Sequence, residues 1–380
     1  MKHQSIIRYL NNVIAFGSFL TLHSFFRKRA GNKDSIIFIN LGKIGDLVIS
    51  SVIFSNLHVF ESRYKLFFVI REEYADLYRN CDRRIHLLPW NSRRYKWNIF
   101  YRLKFISMLR RLKAEYTIDL NYFRPILFDE VSILSGASTL LCLNDIPSSP
   151  DKLFAKSMQG YFNGESYASS MTQYEKHLLL LEFFQNGHIN HFPSLSIDED
   201  KKHSALSVLS SLIPDMEQRL IISIAPLSSS PLKNWGIENY IALIRVLIDN
   251  YGASILIHGS TDQTQYLSSL TVIDPTKIID LSGRFSLQET MAAIGLSKLF
   301  IGNDSGLTHI SLAFGIPTIG LIGGGSLGHF FPYQTSNRSM LLSVEMDCLG
   351  CGWKCIQQIP YCIRKLTVEE VLHHVAQFLS

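Results

Sequence analysis

From Ser35 onward, short apolar runs alternate with stretches of helical periodicity. The pattern predicts strands over 35–40 (SIIFIN), 65–70 (KLFFVI), 84–88, 116–120 and 139–143. Helices are expected over 46–60, 72–80, 95–113 and 127–136. Near-continuous apolar strands separated by helices signal a parallel sheet covered on both faces, wound right-handedly. Residues 144–164, with Pro147, Ser148, Ser149, Pro150, Gly160 and Gly164, read as irregular. A helix is expected over 174–184 and loop over 186–200. The alternation then restarts, with strands over 220–225, 254–258, 277–281, 298–301 and 318–322, and helices over 237–251, 262–270, 286–296 and 305–314. The fold class is therefore α/β, with two Rossmann-like doubly wound domains joined near 145–215 and facing a cleft. Expected boundaries are an N-terminal helical and basic extension over 1–34, one domain with its linker over 35–200, and a second over 201–380. Ligands of open α/β sheets bind beyond the carboxyl ends of the strands.

Composition narrows the class. The chain has 380 residues, 47% hydrophobic and 18% charged, which excludes a disordered chain and leaves room for two cores. Six cysteines are too few for a disulfide-dense secreted scaffold. No apolar run is long enough to span a bilayer. The nearest, 13–26, is cut by Ser18, Thr21, His23 and Ser24 and followed by Arg27, Lys28 and Arg29, the wrong order for a signal peptide. It reads either as a helix on an anionic membrane surface or as a helix packed on the first domain.

Four segments at strand ends carry candidate chemistry. Asn40-Leu41-Gly42-Lys43-Ile44-Gly45-Asp46 follows the first strand. Gly42 and Gly45 permit positive φ and close approach of a ligand, and Asp46 is either an N-cap or a functional carboxylate. Gly302-Asn303-Asp304-Ser305-Gly306-Leu307-Thr308-His309 opens a helix whose first amides suit an anion. His309 stands one turn after Ser305, so both can face one ligand. Pro226 to Trp235, with Ser228, Ser229, Ser230 and Lys233, offers hydroxyls and a cation to a phosphate, while Trp235 reads as core. In His258-Gly259-Ser260-Thr261-Asp262, Asp262 suits a ribose or caps a turn.

Together these segments resemble the ADP-heptose–lipopolysaccharide heptosyltransferase family, glycosyltransferase family 9. The resemblance rests on IIFINLGKIGDLVISSVI, PLSSSPLKNWG, LSGRFSLQETMAAI and, most specifically, LFIGNDSGLTHISLAFGIPTIGLIG. It implies a GT-B architecture, a nucleotide-diphosphate-sugar donor and an inverting, metal-independent transfer. Asp46 matches the family's proposed general base, Lys233 its lysine near the donor diphosphate, and Asp304, Ser305, Gly306 and His309 its donor motif. Asp262 aligns loosely with a ribose-contacting carboxylate. Gly323-Gly324-Gly325 departs from the commoner Gly-Pro-Thr, which leaves the shape of that loop unassigned. An inverting transfer needs a base at the acceptor hydroxyl and positive charge or amide dipoles at the departing diphosphate, which these residue types supply.

Two features stand outside that scheme. Arg or Lys occupies 79, 83, 84, 93, 94, 96, 102, 104, 110, 111 and 113 against the single acid Asp82, with Trp90, Tyr95, Trp97 and Tyr101 interleaved. The run is either a solvated face or a patch meeting phosphorylated glycolipid; no nucleic-acid motif accompanies it. Cys348, Cys351, Cys355 and Cys362 cluster near the end of the chain. A structural zinc site, a disulfide pair and buried thiols all stay open.

The expected protein is a bacterial cytoplasmic enzyme, peripheral on the inner membrane. It would transfer a heptose or similar sugar, with ADP-heptose as expected donor, to a lipopolysaccharide core or related surface-glycan acceptor. The rivals are a sugar-nucleotide epimerase of GT-B shape and a non-catalytic nucleotide-sugar-binding module.

Overall fold

A computed structural model of the chain describes residues 2–26, 33–61, 63–79, 82–144, 152–163, 170–184, 187–335 and 338–380. They divide into two compact units, Met1–His191 and Phe192–Ser380. Among the described residues no helix is long and apolar enough to cross a membrane.

In the first unit the described strands are β1 (Lys33–Asn40), β2 (Lys65–Arg71), β3 (Ile85–Trp90), β4 (Ala114–Asp119) and β5 (Thr139–Cys142). They lie in the order β3-β2-β1-β4-β5, all parallel. Successive strand side chains point to opposite faces, so a strand covered on both sides is apolar at every position. Ile36 to Ile39 are accordingly all buried. Ile37 and Ile39 join a core with Phe105, Ile106, Leu109 and Val131, while Phe38 meets the Phe60 ring edge-on at 5.4 Å. The helix Lys2–Phe25 adds Phe19 and Leu22 to that core. The packed reading of 13–26 thus holds, and Arg27, Lys28 and Arg29 lie outside the described residues.

In the second unit β6 (Ile221–Ala225), β7 (Ser254–Ile257), β8 (Ile278–Asp280), β9 (Leu299–Asn303), β10 (Thr318–Leu321) and β11 (Ser339–Leu342) form a parallel sheet ordered β11-β10-β9-β6-β7-β8. Its core joins Ile222, Ile224, Ile301, Leu243 and Trp235 with Val371 and Val375 of the terminal helix Val368–Leu379.

Several elements differ from the periodicity reading, each for a local reason. The expected helix over 95–113 is two, Ser92–Trp97 and Ile99–Arg111, because Asn98 is extended and its side chain caps the second by accepting from the Tyr101 amide at 3.0 Å. The helix expected over 46–60 breaks where the buried Asn56 amide donates to the Val52 and Asn190 carbonyls, both at 2.7 Å. Residues 72–78 form a 3₁₀ helix, and Lys152–Gln159 in the irregular stretch is helical. Glu199–Leu212, capped by Asp198, and β11 were not expected. Residues 145–151 and 164–169 lie outside the described residues.

The basic run also divides. Arg102 is buried and bonds Glu130 through Nε at 2.7 Å and through Nη2, while the Tyr95 hydroxyl donates to the same carboxylate at 2.7 Å. Arg79 and Arg84 pair with Asp76 and Asp82. Arg93, Arg94, Lys96, Lys104 and Arg111 stay exposed. Removing one partner of a buried pair leaves an uncompensated charge, at a cost of ~3–5 kcal/mol. Arg102→Met should therefore lower the stability of the folded chain by ~3–5 kcal/mol in urea denaturation. A loss within the surface-mutation range of about 0.5 kcal/mol would show that Glu130 does not depend on it.

Candidate functional site

Each sheet reverses its strand order once, between β1 and β4 in the first unit and between β6 and β9 in the second. Adjacent loops diverge at such a point and leave a crevice at the carboxyl edge. Lys233, Asp304 and Ser305 lie at the second of these places and Asp46 at the first.

In the second unit, Lys233 sits in the 3₁₀ turn Pro231–Lys233 after β6, and Asp304 follows β9. Their side chains meet, Nζ to Oδ2, at 2.7 Å. Asn303 holds the two loops together. Its amide donates to the Pro226 carbonyl at 2.5 Å, and its oxygen accepts from the Trp235 backbone at 3.3 Å and the Tyr240 hydroxyl at 3.0 Å. Trp235 is core, as expected, its indole donating to the Leu366 carbonyl at 2.7 Å. Ser326, after β10, donates to Asp304 Oδ2, and Lys233 donates to Ser326 Oγ at 3.4 Å. The Trp353 indole completes the cluster, donating to Ser326 Oγ at 3.0 Å with its ring 5.1 Å from the Lys233 ammonium. Ser326 and Trp353 carried no motif of their own in the sequence.

Ser305 is the extended N-cap of the helix Gly306–Ala313, and its hydroxyl is buried without a partner. An unpaired buried hydroxyl costs roughly 1–3 kcal/mol, so its placement beside the helix's first amides favours an anionic ligand. His309 lies one turn on, but its ring is enclosed. It stacks on Phe331 with centroids 4.4 Å apart and its Nδ1 bonds the Tyr333 hydroxyl at 2.9 Å. Burial, opposed by Asp304 and reinforced by Lys233, lowers its pKa to about 4. Asp262 is exposed in the turn Thr261–Gln263, where it accepts from Ser260 Oγ at 2.5 Å. Gln263 donates to the Ser228 carbonyl at 3.5 Å, which brings that turn beside the Lys233 loop, where Ser229 is exposed.

In the first unit, Leu41 donates to Asn121 Oδ1 at 2.6 Å across the β1–β4 reversal, and its carbonyl accepts from Arg71 Nε at 2.7 Å. The next helix, Ile44–Phe54, begins before Asp46, so Asp46 is not its N-cap. Its Oδ2 instead accepts from the Lys43 amide at 2.8 Å. Neither Gly42 nor Gly45 is among the described glycines with positive φ, correcting that expectation. Gly42 is needed for a different reason, because a Cβ there would collide with the Asp46 side chain. Behind Asp46, its carbonyl accepts from Asn40 Nδ2 at 3.3 Å and from Ser50 Oγ at 3.1 Å, and Ser50 bonds His177 at 2.9 Å. Burial raises the Tyr122 phenol pKa and Asp46 raises it further, so Tyr122 lies within electrostatic reach of that carboxylate.

The four clustered cysteines are unbridged thiols lining one cavity of about 10 Å³ with Trp353, Gly324 and Gly325. Among the described residues no group of three or more His, Cys, Asp or Glu side chains stands in a metal-holding arrangement. The three glycines at 323–325, whose role was open, make room for this segment. A Cβ at Gly323 or Gly325 would strike the Trp353 ring, and one at Gly324 would strike Leu349.

Two parallel α/β units, each with a reversal of strand order, define a doubly wound α/β class of architecture. Residues 175–354, a little under half of the chain, match the model of glycosyltransferase family 9 (heptosyltransferase). The lipopolysaccharide heptosyltransferase 2 of Salmonella typhimurium is 27% identical over 140 residues, 36% of this chain and 39% of that protein. The lipooligosaccharide heptosyltransferase 2 of Campylobacter jejuni is 28% identical over 100 residues, 26% of this chain and 31% of that protein. The chain thus aligns with well under half the length of these curated relatives. In fold it is similar to a family 9 glycosyl transferase from Veillonella parvula, with a TM-score of 0.73 and 16% identity over 91% of this chain and 97% of that one. It is also similar to the ADP-heptose heptosyltransferase II of E. coli, at 0.69 and 16% over 91% and 98%.

Burial also lowers His258 to about 3, where its Nε2 bonds Ser223 Oγ at 2.8 Å. In the unfolded chain both His258 and His309 titrate near ~6.5. Their contribution to stability is complete above that pH and is lost as pH falls from there toward the folded values, because the unfolded chain then binds the extra protons. Replacing the ring removes that linkage. The stability of His258→Gln should thus fall less steeply between pH 6.5 and 5 than that of the parent chain, by roughly 1 kcal/mol per pH unit. Equal slopes in parallel denaturation series would mean that His258 is protonated in the fold.

Proposed function

We propose that the chain is an inverting, metal-independent glycosyltransferase that moves heptose from ADP-heptose to a lipopolysaccharide-core or related surface-glycan acceptor. The observation that carries this reading is the second unit's cluster. Lys233, steered by Asp304 and Ser326, stands in the same fold edge as the unpartnered Ser305 hydroxyl and the start of the helix Gly306–Ala313. A cation beside helix-terminus amides suits a diphosphate, whose charge grows as the sugar bond breaks. Gly306 would let the chain come close to the phosphates, and His309 lies within electrostatic reach of Asp304 and Lys233. Ser229 and Asp262 flank it toward the nucleoside. On the acceptor side Asp46, held by the Lys43 amide, takes the proton of the attacking hydroxyl as that oxygen bonds the anomeric carbon and the nucleoside diphosphate departs.

The test pairs turnover on ADP-heptose with nucleotide titration and a melt. Asp46→Asn keeps an oxygen for the Lys43 amide but loses the proton acceptor. Turnover should fall roughly 10²–10⁴-fold with ADP affinity unchanged. Lys233→Ala should instead weaken ADP binding by ~1.5–3 kcal/mol, the worth of a charged hydrogen bond. Near-normal turnover in Asp46→Asn, with an unchanged melt, would reduce that residue to a helix-start contact. Unaltered ADP affinity in Lys233→Ala would remove it from the donor site.

The acceptor is proposed to be a glycolipid at the cytoplasmic face of the inner membrane, met through the exposed part of the basic run. Trp97 and Phe100 are 73% and 82% exposed. A cavity of about 720 Å³ nearby is lined by Leu88, Tyr101 and Met108 together with Arg94, Lys104 and Arg111. Each basic residue near an anionic surface contributes about 1 kcal/mol, screened by salt. The chain should cosediment with anionic vesicles at low salt and release at high salt, and Lys96→Gln with Lys104→Gln should weaken that binding. Retention indifferent to salt, or no cosedimentation at low salt, would contradict this surface.

A further inference from the structure

We propose that the outward face of the helix Lys2–Phe25 docks on the surface of an anionic phospholipid bilayer, as the apolar anchor beside the exposed basic run; the docking rests on the membrane reading above and adds the part that enters the lipid. The helix is two-sided. Phe19 and Leu22 are buried in the first unit's core, and ring centroids of Phe16 and Phe154 lie 5.0 Å apart and those of His23 and Tyr161 4.7 Å apart. On the other side Val13, Gly17, Leu20, Thr21, Ser24 and Phe25 recur at three- and four-residue spacing, with Ile14 beside them, and all are exposed.

A helix that meets water carries charged residues on its outer face. Between Arg8 and Arg27 the sequence holds no Lys, Arg, Asp or Glu. Ile14 and Phe25 are 70% and 80% exposed. The hydroxyls on this face are turned back onto the helix itself: Thr21 Oγ1 donates to the Gly17 carbonyl at 3.1 Å and Ser24 Oγ to the Thr21 carbonyl at 2.9 Å. Hydroxyls bonded to their own backbone ask little of water, so the face presents an apolar surface. No helix among the described residues is long and apolar enough to cross a membrane, so this one lies along the bilayer surface.

Charge selects the occupant. Arg27, Lys28 and Arg29 follow the face directly in the sequence. The helix Ile99–Arg111 packs beside it, for Arg102 Nη1 donates to Ser18 Oγ at 3.0 Å and the Arg110 guanidinium stands 5.3 Å from the Phe26 ring centroid. That neighbour exposes Phe100, Lys104 and Arg111, and neither Lys104 nor Arg111 forms an ion pair among the described residues. An apolar face bordered by cations matches acyl chains beneath anionic headgroups, which attract each basic residue as the face enters. A second copy of the chain, seated face to face across a two-fold axis, would bring the same cations against one another.

The test uses the full chain and vesicles of phosphatidylethanolamine and phosphatidylglycerol that include a phospholipid with a diazirine in its acyl chain. After illumination and trypsin, the label should fall on the peptide that follows Arg8 and ends at Arg27. Ile14→Gln with Phe25→Gln removes apolar surface without changing charge, so vesicle binding at low salt should weaken roughly tenfold while the melt stays unchanged. A Cβ at Gly17 would meet nothing within 4 Å, so Gly17→Leu fits the fold and, on a bilayer, should tighten binding. Should the double variant melt early, the label on the parent chain and the Gly17→Leu comparison decide. Label confined to the peptide from Trp97 to Arg102 overturns the anchor and leaves the basic run standing. Label on the anchor, with binding indifferent to Lys96→Gln and Lys104→Gln, keeps the anchor and overturns the basic run. Full binding by a double variant of normal melt overturns the anchor, as does a parent chain that ignores these vesicles. Weaker binding by Gly17→Leu, together with loss of a dimer in sedimentation, would seat a second copy on the face instead of lipid.

Discussion

The Lys233–Asp304 contact is the constraint around which the second unit's carboxyl edge is organised. It joins a turn after β6 to the residue after β9, the two strands between which the sheet reverses direction. Such a pair costs desolvation, which for Asp304, 4% exposed, is met by a second hydrogen bond from Ser326. Lys233 keeps 21% of its side chain exposed. Asn303, at the end of β9, ties the two loops together from beneath through Pro226, Trp235 and Tyr240. The site's geometry is thus inherited from strand register and one buried amide.

The first unit solves the same problem with a different set. There the reversal lies between β1 and β4, and Asn121 accepts from Leu41 across it. Asp46 is presented by the first turn of a helix and backed by Asn40, Ser50 and His177. His177 is buried, which lowers its pKa to about 4, and it reaches the Asp46 backbone carbonyl through Ser50.

The glycine triplet at 323–325 shows how a departure from a family pattern acquires meaning. Any side chain at these positions would meet Trp353 or Leu349. The loop after β10 and the cysteine segment are therefore one packing unit, although more than twenty residues separate them in the chain. Ser326 belongs to both, since it bonds Asp304 on one side and Trp353 on the other.

The sequence by itself determined the alternation of strands and helices and the two-unit α/β plan, and it marked the polar loops at the strand ends. Those features are written in local periodicity and in residues at strand ends, so the helix Ile237–Tyr251 could be read without tertiary information. The tertiary structure decided what depends on contacts distant in the chain. Arg102 left the basic surface for Glu130, and helix 95–113 broke at Asn98 because that side chain found an amide to cap. Asp46 became a third-position residue rather than a cap because the helix began two residues earlier. Ser326, Tyr333 and Trp353 joined the site only when β9, β10 and the cysteine loop came together. Periodicity records which face of an element is buried; it does not record which side chains from separate elements meet.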